Sequence, residues 1–285
     1  MILFFDSGVG GMSYMQEFLS RTTDRPCLYL ADTAFFPYGE KAPEAVRERV
    51  VSLVRAAAER YTLEAIVVAC NTASVVALDA LRHTVSVPVV GTVPAVKPAA
   101  TRTRTGHIAV LATSRTVEDP YTDDLVERFA RLGKVSRLGL PRLVAAAEGW
   151  CADDPESGAD PAASLGSTDG GQTSRHETER RIEEIIREDV QARLAEDVDT
   201  IVLACTHFVR FRETFSRVLG TRVAVVDSLD GVTRRLMAVL GIEDTRKGGS
   251  DSPDGSDSLS TDRRITLLRT ASSGGCGGEK WTVFP

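Results

Sequence analysis

Hydrophobic residues along this chain come in short solid runs, separated by longer stretches in which they recur every three or four positions. The runs are Ile2–Phe5, Leu28–Ala31, Ile66–Ala69, Val87–Val90, Ile108–Ala112, Ile201–Ala204, Val223–Val226 and Ile265–Leu268. Runs this short, rich in β-branched and large aliphatic side chains, predict strands buried on both faces. Between them, residues 42–61 place Val46, Val50, Leu53, Val54 and Ala57 at helical spacing, with Pro43 near the expected start. Residues 176–197 put Ile182, Ile185, Ile186, Val190 and Leu194 on one face, with Glu183 and Arg187 spaced as a helical ion pair. Strand–helix alternation of this kind predicts an α/β fold with mostly parallel sheets.

Two stretches lack the pattern. Residues 151–175 and 246–262 are rich in Asp, Ser, Gly and Pro and nearly devoid of bulky apolar side chains. Such segments bury too little surface to offset chain entropy, so both are expected to be mobile surface insertions.

One phrase occurs twice. Residues 64–72 read Glu64-Ala-Ile-Val-Val-Ala-Cys70-Asn71-Thr72, and residues 199–207 read Asp199-Thr-Ile-Val-Leu-Ala-Cys205-Thr206-His207. In each, an acidic residue opens an apolar strand that ends in Ala-Cys and small polar groups. The polar residues fall at the carboxyl end of the strand, where α/β folds place their ligands. A lone cysteine is usually a small buried hydrophobe. The same thiol at the same place in two copies instead predicts two related halves, each giving one thiol to a shared cleft.

Composition narrows the classes. A chain of 285 residues with 42% hydrophobic content is long enough for two domains with proper cores. The net charge of −6 gives no general attraction to nucleic acid or to an anionic membrane. No run approaches the roughly 20 apolar residues of a membrane span. Met1–Phe5 is only a strand long before Asp6 interrupts it, so no signal peptide is expected. Five scattered cysteines without C-x-x-C spacing argue against a disulfide framework or a zinc site, and reduced thiols in the cytoplasm are the expectation.

Two more segments fall on the expected carboxyl rim. Asp6-Ser7-Gly8-Val9-Gly10-Gly11 follows the first strand and precedes a helix starting near Met12 or Ser13; its glycines permit close approach of a ligand to the backbone. Its spacing matches neither G-x-G-x-x-G nor a P-loop. Ala31-Asp32-Thr33-Ala34-Phe35-Phe36-Pro37-Tyr38-Gly39 follows the second strand, and by itself reads as a Pro-Tyr-Gly turn. Cys27, His83, His107, His176, Trp150 and Trp281 read as structural, the three histidines as loop or helix-surface residues, and Cys151 and Cys276 as incidental.

Taken together these stretches resemble the glutamate-racemase family of the cofactor-independent aspartate/glutamate racemase superfamily. The resemblance is carried by Asp6 to Gly11, Ala31-Asp32-Thr33 with Pro37-Tyr38-Gly39, Ala69-Cys70-Asn71-Thr72-Ala73-Ser74, Pro88 to Gly91, Leu111-Ala112-Thr113 with Thr116 and Tyr121, and Cys205-Thr206-His207. It covers most of residues 1–245 in the family's order. It implies two pseudo-twofold-related domains with a cleft between them, the first from 1–93 and 209–285, the second from 94–208. It implies that Cys70 and Cys205 are acid/base thiols, with Asp6, His207 and Glu148 assisting, and that Asp6, Ser7, Pro37, Tyr38, Gly39, Asn71, Thr72, Thr113, Thr206 and His207 hold the amino acid. It implies glutamate as the small-molecule partner, no cofactor and no metal, a cytoplasmic enzyme supplying D-glutamate for peptidoglycan, and a family whose members are often homodimers of varying mode. The sequence departs from the family pattern beside the second thiol, where Ala204 replaces a usual glycine and Phe208-Val209 a usual Tyr-Pro.

The chemistry suits this arrangement. Racemisation moves an α-proton from one face of a carbon to the other, which calls for two opposed groups, one a thiolate when the other is a thiol. An unperturbed thiol pKa of about 8.5 is close enough to neutrality for that work. Other readings stay open at this stage: a Cys–His nucleophile built from Cys205 and His207, a racemase for aspartate or another acidic amino acid, and a binding or regulatory homologue that has lost turnover.

Overall fold

A computed structural model of the chain describes residues 1–23, 25–131, 133–152, 175–245, 265–270 and 281–283. Most of the two polar stretches expected to be insertions lies outside the described residues. The strands are β1 (Ile2–Asp6), β2 (Cys27–Ala31), β3 (Ala65–Val68), β4 (Val89–Gly91), β5 (His107–Ala112), β6 (Lys134–Gly139), β7 (Thr200–Leu203), β8 (Ala224–Val226), β9 (Ile265–Thr270) and β10 (Trp281–Val283). The helices are α1 (Met12–Leu19), α2 (Pro43–Arg60), α3 (Asn71–Thr84), α4 (Val96–Arg102), α5 (Ser114–Glu118), α6 (Pro120–Phe129), α7 (Pro141–Ala152), α8 (Arg175–Ile185), α9 (Thr206–Val209), α10 (Arg212–Leu219) and α11 (Leu229–Leu240).

They form two sheets, ordered β10-β9-β2-β1-β3-β4 and β6-β5-β7-β8, parallel throughout except for β10 against β9. The α/β architecture expected from the alternation is therefore present. Both sheets repeat one topology: the first strand is central, the second lies on one side, the third and fourth on the other. Strand order thus reverses between β1 and β3, and again between β5 and β7. Ligands of open α/β sheets bind at such reversals, outside the carboxyl ends of the strands.

Register decides what stands there. Asp6 lies opposite Ala31, and Asp32 N donates to Asp6 O at 2.9 Å. Ala69 N donates to Phe5 O at 2.7 Å, so Cys70 emerges beside Asp6. In the second sheet Leu111 lies opposite Leu203, and Ala204 N donates to Leu111 O at 2.8 Å, bringing Cys205 out beside Thr113.

The helices form where the periodicity puts them. α2 buries Val46, Val50, Leu53, Val54 and Ala57 and opens on Pro43. α8 continues into a π-helical turn, Ile186–Gln191; Ile182, Ile185, Ile186 and Val190 are buried along the pair, and Arg187 Nη2 donates to Glu183 Oε1 at 2.6 Å.

Several expectations need correction. β6, with the sequence Lys-Val-Ser-Arg-Leu-Gly, was not anticipated because an edge strand half in solvent carries no apolar run. The fourth strand is Val89–Gly91 rather than Val87–Val90. A return to the first unit at residue 209 would cut through the second sheet, because β8 at Ala224–Val226 pairs with β7. The chain rejoins the first sheet only afterwards, through α11, which packs on α1, β3 and β4. His107 is no loop residue. It opens β5, 4% exposed, and joins Asp197 Oδ1 at 2.7 Å to Ser136 Oγ at 2.9 Å, tying β5, β6 and the turn before β7 together.

Candidate active site

The duplicated phrase folds into duplicated geometry. Cys70 ends the segment after β3 with φ −142° and ψ 119° and caps α3; Cys205 follows β7 with φ −138° and ψ 134° and caps α9. Both are buried, at 5% and 4% exposure. Each backbone turns from extended to helical at the residue after the thiol, so the two sulfurs lie at equivalent positions on the two rims. They line one cavity.

Around Cys70 the polar groups belong to the first strand's exit. Ser7 Oγ lies 3.7 Å from Cys70 Sγ. Asp6 is fully buried and is held by Ser7 N at 2.8 Å, Gly11 N at 2.7 Å and the Tyr29 hydroxyl at 3.4 Å. Burial raises the Asp6 carboxyl above its ordinary range, only partly opposed by the nearby charge of His207. Burial also pushes the Cys70 thiol well up, and the negative charge of Asp6 pushes it further.

Around Cys205 the arrangement is different. His207 Nδ1 lies 3.6 Å from Cys205 Sγ, and its Nε2 is bonded to Glu148 Oε2. Burial alone would lower the imidazole, but the Glu148 carboxylate and the bond to Cys205 outweigh it, and His207 ends well above its usual value. Glu148 comes from α7 and also accepts from Val9 N at 3.4 Å, so it bridges the turn after β1 to the second sheet. The glycines of that turn make the approach feasible. A Cβ on Gly10 would lie 2.8 Å from the His207 ring, and one on Gly8 would collide with the Glu148 carboxylate.

Between the thiols lie groups from both sheets. Thr72 Oγ1 is 3.0 Å from Thr113 Oγ1 and 3.2 Å from Thr116 Oγ1, a cluster of hydroxyls joining α3 to α5. Asn71 is 2% exposed, yet neither atom of its amide has a hydrogen-bond partner. Buried amides are almost always paired, so this one is a vacant donor and acceptor facing the region where a polar ligand would sit. Tyr38 is buried, with its hydroxyl donating to Asp32 Oδ2 at 2.7 Å.

Of the residues expected in the site, Ser7, Pro37, Tyr38, Gly39, Cys70, Asn71, Thr72, Thr113, Cys205, Thr206 and His207 line the cavity. Asp6 and Glu148 stand behind it, against Ser7 and His207. Sequence reasoning had not placed Phe36 and Val144 there, although both line it. Phe36 was visible as an aromatic beside Pro37; nothing marked Val144, one apolar residue on an apolar helix face. The cavity, about 20 Å³, has room for little more than a water. A larger depression, bordered by Arg104, Arg128 and Phe129, lies at the amino-terminal end of β5 and contains none of these residues. The departures at Ala204 and Phe208 are absorbed by the core: both are fully buried, and the Phe208 ring packs on Phe215 with centroids 6.2 Å apart. Among the described residues no group of three or more His, Cys, Asp or Glu is arranged to hold a metal ion, and no helix is long and apolar enough to cross a membrane.

Comparison with known proteins agrees with this layout. The family described as Asp/Glu/Hydantoin racemase matches residues 7–236. Glutamate racemase of Proteus mirabilis is 39% identical over 251 residues, 88% of this chain and 79% of that protein. The structure of Escherichia coli glutamate racemase in complex with L-glutamate and the activator UDP-MurNAc-ala superposes with a TM-score of 0.73 at 36% identity, covering 96% of this chain and 90% of that one. Glutamate racemase of Thermus thermophilus, in complex with β-chloro-D-alanine, gives 0.61 at 26% identity, covering 94% and 86%. With its sheet topology, its paired strand-end thiols and these relatives, the chain belongs to the Asp/Glu/hydantoin racemase family and is an isomerase.

Proposed function

We propose that this enzyme interconverts L- and D-glutamate without a cofactor, passing the α-proton between Cys70 and Cys205. The observation that carries this reading is the pair of thiols at equivalent strand ends across one cavity, each backed by its own carboxylate. Cys70 keeps its proton, because burial and Asp6 both disfavour its charge. Abstraction in that state falls to Cys205, whose thiolate takes the α-proton from one face. The electron pair moves into the α-carboxylate, and the Cys70 thiol gives its proton to the opposite face. Cys70 is then the thiolate and Cys205 the thiol, which is the starting state for the other enantiomer.

The α-proton is weakly acidic, so the developing charge on the carboxylate needs fixed donors in a dry site. The unpartnered amide of Asn71 and the hydroxyls of Thr72, Thr113 and Thr206 are suited to that work. The described cavity is smaller than an amino acid, so entry requires the two rims to separate and closure to expel water. On this reading the residue sets inferred from the family resemblance keep their roles. The protein is cytoplasmic, and its product serves peptidoglycan synthesis.

The test is incubation of either enantiomer of glutamate in D₂O, following chirality and α-deuterium together. Racemisation with solvent deuterium entering the product is expected, with aspartate slower by about 10² or more because a shorter side chain leaves buried donors unpaired. Saturable binding without exchange would identify a binding homologue instead. Comparable kcat/KM for aspartate would widen the substrate class.

A further inference from the structure

Asp32 follows β2 directly, is fully buried, and borders no part of the cavity. Both of its oxygens are saturated. Arg49 donates to them through Nε at 2.8 Å and Nη2 at 2.7 Å, Tyr38 donates to Oδ2 at 2.7 Å, and the Thr270 hydroxyl donates to Oδ1 at 2.6 Å. Thr270 is the last residue of β9 and only 2% exposed. Register brings it there: Ala31 lies opposite Arg269, so the next residues, Asp32 and Thr270, leave the sheet side by side.

Thr270 is bonded to that segment three times. Besides its bond to Asp32, its Oγ1 accepts from Ala34 N at 3.0 Å, and its carbonyl accepts from Thr33 Oγ1 at 2.9 Å. Residues 32–34 open the segment that carries Phe36, Pro37, Tyr38 and Gly39 into the cavity. The strand holding Thr270 lies beyond residue 236, where the match to the family model ends.

We propose that Thr270 is a positioning residue for the reaction: acting through Asp32, it fixes Tyr38 and Gly39 against the substrate. The link to catalysis rests on the racemase reading above. Arg49 pairs with the buried Asp32 carboxylate through two bonds, while Thr270 and Tyr38 define where its two oxygens point. Losing one hydrogen bond to a buried carboxylate leaves that oxygen under-satisfied and frees the turn to move.

The experiment uses Thr270→Val, which keeps shape and removes the hydroxyl, and Thr270→Ser, which keeps the hydroxyl. Thr270→Val is expected to lower kcat/KM for glutamate by about tenfold or more, chiefly through KM, with Thr270→Ser close to the parent. In a Tyr38→Phe background the same change should have little further effect, because the two residues act through one carboxylate. A second readout needs no substrate. In protein labelled with 3-fluorotyrosine, the ¹⁹F resonance that Tyr38→Phe removes should shift in Thr270→Val and return in Thr270→Ser. An unmoved resonance, unchanged steady-state constants, or effects that add fully to those of Tyr38→Phe each overturn the proposal. A parent enzyme inactive on glutamate would refute the substrate reading while the fluorine measurement still decides the link between Thr270 and Tyr38.

Discussion

Cys70 and Cys205 end equivalent strands in sheets of equivalent order, but their polar surroundings differ in kind. Cys70 meets a carboxylate through a serine: Asp6 is buried, raised by desolvation, and adds a negative charge that disfavours the thiolate. Cys205 meets a histidine backed by a carboxylate, and that histidine is held protonated by Glu148. Duplication therefore fixed where the thiols are, and the loops before and after each strand fixed which polar groups surround each one. One side stores a proton on sulfur; the other places a positive charge beside sulfur. On the two-thiol reading proposed above, a reversible reaction tolerates this asymmetry, since the proton would change side at each turnover.

The acidic residues that open the two phrases diverge as well. Glu64 is exposed and bonds the chain's amino group at 3.0 Å and Arg25 at 3.3 Å. Asp199 is buried, and although desolvation opposes its charge, bonds from Thr103 Oγ1 at 2.6 Å, Arg104 N at 2.7 Å and Thr105 N at 3.0 Å bring it down to about 2. Like positions in sequence thus serve a surface ion pair in one half and a buried loop clamp in the other.

The strongest attack on the comparison removes a thiol. Cys70→Ser and Cys205→Ser should each lower kcat in both directions by about 10² to 10⁴, since a hydroxyl is a far poorer base than a thiolate. Near-parental turnover by either variant would end the two-thiol reading.

Next comes Gly10, which packs against the ring on the histidine side. Gly10→Ala should cost about tenfold or more in kcat, because its Cβ lands 2.8 Å from a buried ring with little freedom to move. Circular dichroism should stay unchanged. Gly8→Ala should be milder, since it displaces only the end of the flexible Glu148 side chain.

Glu148→Gln tests the electrostatics directly. Glu148 raises His207, so its neutralisation should move the imidazole back towards its ordinary value, and the imidazolium signal in ¹⁵N NMR should disappear at lower pH than in the parent. The sign is fixed: a signal persisting to the same or higher pH contradicts it. The parent's His207, raised in the folded state, contributes stability below its ordinary pKa of about 6.5 that is lost as pH rises through the folded value.

The smallest effects separate the two acids. Asp199→Asn should cost about 2 kcal/mol at neutral pH by urea denaturation, with KM unchanged. Its folded value lies below the ordinary 3.8, so this contribution is present above that pH and fades as pH falls towards 2. Glu64→Gln should change stability by no more than about 0.5 kcal/mol, because its partners are solvated.

Much of this was legible in the chain. Apolar runs mark strands because a strand buried on both faces must be apolar throughout, and all eight runs needed only boundary shifts of a residue or two, as from Val87–Val90 to Val89–Gly91. The repeated Ala-Cys phrase located both thiols, because a local turn from strand to helix depends on local sequence alone. What stayed hidden was set by pairing between distant segments. β6 is polar because its outer edge is wet, so it carries no run to read. β8 belongs to the second sheet through its bonds to β7, which no linear boundary at residue 209 reveals. The contacts of Glu148 with His207, of Thr72 with Thr113 and of Thr270 with Asp32 join residues far apart in sequence. By itself the sequence determined the strands, the main helices and the two sulfurs, which follow from local polarity and backbone preference. Only the tertiary structure decided which polar groups surround each sulfur, because hydrogen bonds and charges act across space and take whatever neighbours the register of the sheets supplies.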